Sequence, residues 1–345
     1  MKQAYATGPE ASFAVEIVRK ASLLTRRIQE EMVGASLTKE DRSPVTVADF
    51  SVQALISALL QKHFPDDSLT AEESSRSLSQ ASGRSSLLKV SHFLADFLPE
   101  ANPELVMEWI DRGQGTPGRD GWVLDPIDGT KGFLRGDQYA IALARLESGT
   151  VTLGALACPT LDLSEVENPA HIRNRGKVTA GSSGTLFLAL LGKGCWVTDL
   201  QKDRFRPVQV SSCRNPEEAV ILRSFEKGHT NVDQLELIRS CLKAKAEPIA
   251  LDSQAKYGLI AAGIGDVLFR LISSRSPDYR EKIWDHAAGM RVVEEAGGTV
   301  TDLEGNPLDF TAGRTLANNR GLIASNGRLH EIALKAVSES GPLDE

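Results

Sequence analysis

Trp122-Val123-Leu124-Asp125-Pro126-Ile127-Asp128-Gly129-Thr130 is the stretch on which the fold turns. Three apolar residues stop at an aspartate, which reads as a short buried strand delivering acidic side chains at its end. Asp125 and Asp128 stand three residues apart, with Pro126 fixing one backbone angle and Gly129 permitting a tight or left-handed turn. Such a loop can aim both carboxylates and an intervening carbonyl into one cavity. Hard cations such as Mg²⁺ take oxygen ligands, so no cysteine or histidine is required. Asp-Pro and Asp-Gly are also common turn formers, and alone this segment reads more readily as a loop.

Beyond it, Tyr139 to Leu146 and Val151 to Ala157 flank Glu147-Ser148-Gly149-Thr150 and read as a hairpin. Before it, Asp111 to Gly121 is Gly-rich and polar, and Ser74 to Ser86 suits a mobile surface loop ahead of a helix over Leu87 to Phe97. The strongest period is helical: Phe13, Ile17, Ala21, Leu24, Ile28 and Met32 share one face. A second helix is expected to begin near Thr46 and to end at Phe64-Pro65-Asp66-Asp67. Later pieces read as strands at Gly194 to Thr198 and Val208 to Ser211, and as helices at Val232 to Lys243 and Tyr257 to Ala262. Strands interleave with helices and no repeat recurs, so an α/β layered sandwich is expected. A soft boundary near Asp203 would divide 1–203 from 204–345.

Composition bounds the partners. At 345 residues, with 41% hydrophobic and 25% charged residues, the chain has the makeup of a soluble globular protein. A net charge of −7 argues against a nucleic-acid surface. No run reaches the length of a membrane span, and Met1 to Lys20 lacks an apolar signal core. Cys158, Cys195, Cys213 and Cys241 are widely spaced and read as reduced thiols in a cytosol-like compartment.

Other acids keep company with the loop. Asp285, in Trp284-Asp285-His286-Ala287-Ala288-Gly289, would sit at a helix N-terminus, where capping alone could explain it. Glu72-Glu73 could be a solvated pair, and Asp49 could complete a capping box that starts at Thr46.

Taken together, the blocks Ser43 to Asp49, Asp125 to Phe133, Asp252 to Tyr257 and Glu281 to His286 resemble a lithium-sensitive, magnesium-dependent phosphatase superfamily. It includes inositol monophosphatase and fructose-1,6-bisphosphatase, and within it these blocks are most similar to the 3′(2′),5′-bisphosphate nucleotidase family. The resemblance implies an α/β/α/β/α sandwich. It implies two to three Mg²⁺ per active site: Glu72, Asp125 and the Ile127 carbonyl would hold one, Asp125, Asp128 and Asp285 a second, and a weaker third could share Glu72. Asp49 and Thr130 would activate the attacking water. Thr130, His229, Ser253, Lys256, Arg270 and Asp285 would meet the substrate, although a histidine in a polar loop such as His229 is more often solvated. Most metal ligands would then fall in 1–203, and the nucleotide contacts with Asp285 in 204–345.

The implied reaction is hydrolysis of adenosine 3′,5′-bisphosphate to AMP, with 3′-phosphoadenosine 5′-phosphosulfate a further substrate, by a cytoplasmic monomer. Two readings compete: an inositol-phosphate phosphatase, and a nucleotide-binding regulator without catalysis. No Gly-x-Gly-x-x-Gly supports a dinucleotide oxidoreductase. One departure from the family pattern is Ala71, where glycine is usual before the paired glutamates.

Overall fold

The computed structural model describes residues 8–33, 43–116, 120–163, 183–224, 232–272 and 278–341. A seven-stranded sheet runs in chain order through β1 (Ser68–Ala71), β2 (Asp120–Asp128), β3 (Ala140–Glu147), β4 (Thr150–Cys158), β5 (Thr185–Leu190), β6 (Gly194–Asp199) and β7 (Arg206–Val208). Only β1 and β2 pair in parallel; the rest of the ladder is antiparallel. A five-stranded sheet follows, built from β8 (Ile221–Arg223), β9 (Ile249–Ala250), β10 (Val267–Arg270), β11 (Thr299–Thr301) and β12 (Leu322–Ser325) in the order β11-β12-β10-β8-β9.

Helices fill three layers around these sheets. α1 (Pro9–Ile28), α2 (Ser43–His63), α3 (Arg84–Leu94) and α4 (Pro103–Asp111) pack on the outer face of the large sheet, and short α5 (Thr130–Arg135) follows β2. α7 (Ala255–Ala261) and α8 (Ala287–Glu295) lie between the sheets. α6 (Val232–Leu242) and α9 (His330–Ser340) cover the far face of the small sheet. The result is the expected α/β/α/β/α sandwich. β5 shows why it holds: Leu186, Leu188 and Leu190 face the α1–α4 layer, while Phe187 and Ala189 face α7 and α8. A strand covered on both faces has no reason to alternate apolar with polar residues. Among the described residues, no helix is long and apolar enough to cross a membrane.

Local readings hold where the period is local. The α1 face is as expected, with Phe13, Ile17, Ala21, Leu24 and Ile28 all buried. The hairpin closes through Ser148 and Gly149 at φ +52° and +79°, the two positive angles of a type I′ turn.

Three expectations shift. α2 begins at Ser43 and not near Thr46, because Pro44 falls in the first turn, where a missing N–H breaks no helical bond. Asp49 is therefore interior to the helix and caps nothing. The Ser-rich segment after Glu73 carries two 3₁₀ turns, Ser75–Ser77 and Ala81–Gly83, and Ser75 donates from N and Oγ to the Asp111 carboxylate at 2.9 and 2.7 Å. The strand expected over Val208 to Ser211 ends at Val208.

Candidate active site

Residues three apart on a regular strand point to opposite faces. In β2 the pairing runs Asp125 to Ala142 and Asp128 to Ala140, so Pro126 and Ile127 together oppose Ile141 and a bulge absorbs the extra residue. The bulge turns Asp128 back to the side of Asp125. Pro126 sits where the ladder is already interrupted, and Gly129, at φ +88°, starts α5. Sequence chemistry and register together thus aim both carboxylates into one cavity of about 280 Å³, with Ile127, Gly129 and Thr130 in the same wall.

Two distant segments complete the acidic side. Glu72 follows the last residue of β1, and Asp285 lies in the turn before α8. The capping expected of Asp285 is not made: α8 starts at Ala287 with His286 at the cap position. Asp285 instead faces the cavity.

Asp125 is 2% exposed, and its Oδ1 has no hydrogen-bond partner among the described residues. Burial, then the charges of Glu72, Asp128, Asp285 and Asp49, hold its pKa well above the usual carboxylate range. Burial, then Glu73 and Asp128, push Glu72 up to about 7; burial, against the opposing charge of His286 and aided by Asp128, Glu281 and Glu72, does the same for Asp285. Asp49 lies behind this wall, buried in α2 with Oδ1 unpartnered among the described residues, and burial with Glu73 and Glu72 raises its pKa as well. Thr130 is exposed at the rim, and no hydrogen bond between it and Asp49 is seen.

Cations line the same cavity. Lys256, on α7, is buried; its Nζ donates to the Leu251 carbonyl at 3.1 Å, and burial lowers its pKa to about 8. Arg270 ends β10, and its Nε donates to Glu281 Oε1 at 3.0 Å. Ser253 also lines the cavity, at φ +67°, a conformation that carries on the order of 1 kcal/mol of strain in a non-glycine residue. The chain there is anchored on both sides, because Asp252 pairs with Arg135 and the Gln254 N–H donates to Asp128 Oδ2 at 2.5 Å. His229 lies outside the described residues.

Sequence reasoning missed a buried hydrogen-bonded chain behind Arg270. Glu281 accepts from Arg270 and, through Oε2, from His286 Nε2 at 3.1 Å, and His286 Nδ1 is 2.7 Å from the Tyr257 hydroxyl. Although burial raises the Glu281 pKa, the bonds from His286 and Arg270 outweigh it and hold the acid at about 2. Glu281, Asp285 and His286 offer atoms within 4.8 Å of one another. Both Glu281 oxygens and both His286 nitrogens are already bonded by protein, so of this trio only Asp285 is offered to the cavity as a ligand. Tyr279, half exposed beside Arg270, also lines the cavity and carries no local sequence signal.

These shifts fix the sign of a pH dependence. An acid whose folded pKa is raised holds its proton longer when folded, so its stabilisation is full below about pH 4 and is lost as pH climbs through about 7. Glu281 acts oppositely: its contribution is present above about 4.5 and is lost as pH falls toward about 2. Glu72 reaches solvent, which screens its repulsion, so Asp285 weighs more. Chelator-treated protein is therefore expected to lose on the order of 2 kcal/mol between pH 5 and 8, and Asp285→Asn to flatten that slope. A melting series in which wild type and variant decline equally would contradict the assignment.

The whole arrangement has relatives. The model of the inositol monophosphatase family matches residues 8–341. A rice protein named 3′(2′),5′-bisphosphate nucleotidase is 41% identical over 348 residues, covering 96% of this chain and 94% of that one. Proteins of that name from Schizosaccharomyces pombe (37%, covering 95% of each chain) and, with the suffix 1, from Arabidopsis thaliana (41%, covering 96% of each) align similarly. Among solved structures, an IMPase from Thermotoga maritima superposes with a TM-score of 0.60 at 22% identity, covering 96% of this chain and 98% of its own. CysQ from Bacteroides thetaiotaomicron does so at 0.60 and 18%, covering 93% and 98%. Because the family match spans every segment that builds the cavity, and close relatives align over nearly their full lengths, the chain belongs to the inositol monophosphatase family.

Proposed function

We propose that the chain is a metal-dependent phosphatase that removes the 3′-phosphate from adenosine 3′,5′-bisphosphate, giving AMP and inorganic phosphate. The observation that carries this reading is the mixed lining of the cavity, where Glu72, Asp125, Asp128 and Asp285 share one wall space with the cations of Lys256 and Arg270. The names of the relatives at 36–41% identity support the nucleotide as substrate.

The donors suit a hard divalent cation. They are all oxygen, Asp125 Oδ1 is buried without a partner among the described residues, and the raised acids repel one another until a cation joins them. Glu72, Asp125, the Ile127 carbonyl, Asp128 and Asp285 would hold two Mg²⁺ ions, with a third sharing Glu72. Bound there, Mg²⁺ supplies Lewis-acid polarisation of the phosphoryl group and acidifies water.

The chain's own groups do the rest. Lys256, Arg270 and the Ser253 hydroxyl bind phosphate oxygens by charge-assisted hydrogen bonds and orient the ester. Asp49 takes a proton from the attacking water, relayed through Thr130, as water enters in line with the departing 3′ oxygen. No covalent intermediate is required. The enzyme is proposed to act as a cytoplasmic monomer, with 3′-phosphoadenosine 5′-phosphosulfate proposed as a further substrate.

Phosphate release tests this directly, comparing the nucleotide with inositol 1-phosphate under Mg²⁺, chelator and Li⁺. Release from the nucleotide that chelator abolishes is expected. Release from inositol 1-phosphate alone would transfer the assignment to an inositol-phosphate phosphatase, and binding without turnover would make the chain a regulator. Lys256→Ala should raise KM about 10- to 100-fold with a smaller change in kcat, the scale of one buried charge-assisted bond. A change confined to kcat would move Lys256 out of ground-state binding.

A further inference from the structure

Arg314 lies in the connection between β11 and β12 and does not line the cavity. Its guanidinium makes bonds that have no evident use for packing alone. Nη1 donates to the carbonyls of Gly113 at 3.1 Å and Gly115 at 3.3 Å, and Nη2 donates to the carbonyl of Ala71. The same group lies over the Trp284 ring, 4.8 Å from its centroid. Among the described residues Arg314 has no carboxylate partner within ion-pair distance, so the cation is spent on three neutral carbonyls and one aromatic face.

The residues it touches are the neighbours of two proposed metal ligands. Ala71 is the last residue of β1 and precedes Glu72; Trp284 precedes Asp285. Backbone bonds extend each contact. Ala71 N–H donates to Gly113 O at 2.8 Å, so that carbonyl joins β1 and Arg314. On the other side, Ile283 N–H donates to Arg314 O at 3.2 Å, Leu316 N–H donates to Glu281 O at 2.9 Å, and Lys282 bridges Thr315 in antiparallel register.

Glu72 is also held from behind. Gln53, inside α2, accepts from Glu73 N–H at 2.9 Å and donates to Glu73 O at 2.7 Å. Glu72 thus projects from a backbone fixed on both sides, by Arg314 and Gly113 before it and by Gln53 after it. Gly113 is required for the close approach, because a Cβ there would stand 2.5 Å from Gln53 Nε2 and 2.9 Å from the Ala71 methyl. Ala71 therefore fills the space that Gly113 leaves. It is not among the residues with positive φ, so it bends no less freely than the site needs.

We propose that Arg314 is a positioning residue that holds the Glu72 and Asp285 segments in the relative placement that two neighbouring divalent cations require. One planar fork reaching two segments can do this, whereas two independent contacts would let the carboxylates drift with the loops that bear them. The inference rests on the metal-site reading above. Side chains that orient metal ligands change metal affinity by about 10- to 100-fold when removed, and that is the effect expected here.

The test is Mg²⁺ binding to metal-free protein by isothermal titration calorimetry, beside kcat and KM for the nucleotide at saturating Mg²⁺. Arg314→Ala should raise the Mg²⁺ Kd about tenfold or more while KM at saturating Mg²⁺ stays within about twofold. Arg314→Lys keeps the charge and stem but cannot span three carbonyls, and it should weaken Mg²⁺ binding too while remaining folded if the alanine variant does not. A brace of the fold alone predicts a lower melting temperature with unchanged Mg²⁺ affinity in either folded variant, and that result overturns the proposal. Asp125→Asn is the control: if it binds Mg²⁺ as tightly as wild type, the metal-site reading itself fails. If the control loses Mg²⁺ and the Arg314 variants do not, only the positioning role fails.

Discussion

Asp125→Asn is expected to cut turnover steeply while making the metal-free protein more stable. The two effects share a cause. Asp125 is buried, one of its oxygens has no partner among the described residues, and its pKa is raised by burial and by Glu72, Asp128, Asp285 and Asp49. In the absence of a cation it is a carboxylate in the wrong place. Asparagine keeps the shape, removes the repulsion and adds an N–H₂ that neighbouring carboxylates can accept from.

Relief of an unpaired buried charge among like charges should raise stability by about 2 kcal/mol at neutral pH, a few degrees in Tm for a chain of this size. The same change removes the charge and one carboxylate oxygen from the residue that would be shared by both ions. A loss of about 10³-fold in kcat/KM is expected, the upper range for removing one electrostatic stabiliser. Thermal melts in chelator and phosphate-release kinetics in Mg²⁺ read the two effects separately. A variant that is inactive and also less stable without metal would show that Asp125 supports the fold and not a cation. One that keeps its turnover would remove it from the site.

How far the sequence led depended on how local the cause was. The β2 loop was legible because Pro126, Gly129 and two aspartates are neighbours, and the bulge they need lies within those residues. The hairpin and the α1 face were legible for the same reason. The start of α2 was misplaced because Thr46 looks like a cap, while the helix had already begun around Pro44. Asp285 was pulled toward a capping role by its place before α8, yet the cap position falls one residue later. Both errors assigned a local duty to an acid whose position is set by other segments.

The groups that went unseen are those defined only across the fold. Glu281, His286 and Tyr257 form their chain because α7 and the turn before α8 pack side by side between the sheets. Arg314 meets Ala71 from the far end of the sequence. No period or spacing encodes such meetings, because each partner alone satisfies an ordinary local pattern. Family resemblance recovered the acids and cations of the cavity, but not the groups that hold them in place.

Asp49→Ala provides the second large effect, and its logic differs from that of Asp125. Asp49 is not a cavity wall residue; it projects from inside α2 toward Glu73 and Glu72, with an oxygen unpartnered among the described residues. Burial and those acids raise its pKa, so it awaits a compensating charge before it can accept a proton. Thr130 stands at the cavity rim with no bond to Asp49, and the proposed relay forms when substrate and cation arrive, as catalytic hydrogen bonds often tighten only in the complex. The alanine variant should keep its fold and bind Mg²⁺ within about twofold of wild type, because the proposed ligands are untouched. Its kcat should fall about 10²-fold or more, the scale of general-base assistance. If the two residues act as one relay, Thr130→Ala should add little to Asp49→Ala, since members of a catalytic unit are not additive. Fully additive losses in the double variant would separate the two roles, and an unchanged kcat in Asp49→Ala would leave the attacking water without its base.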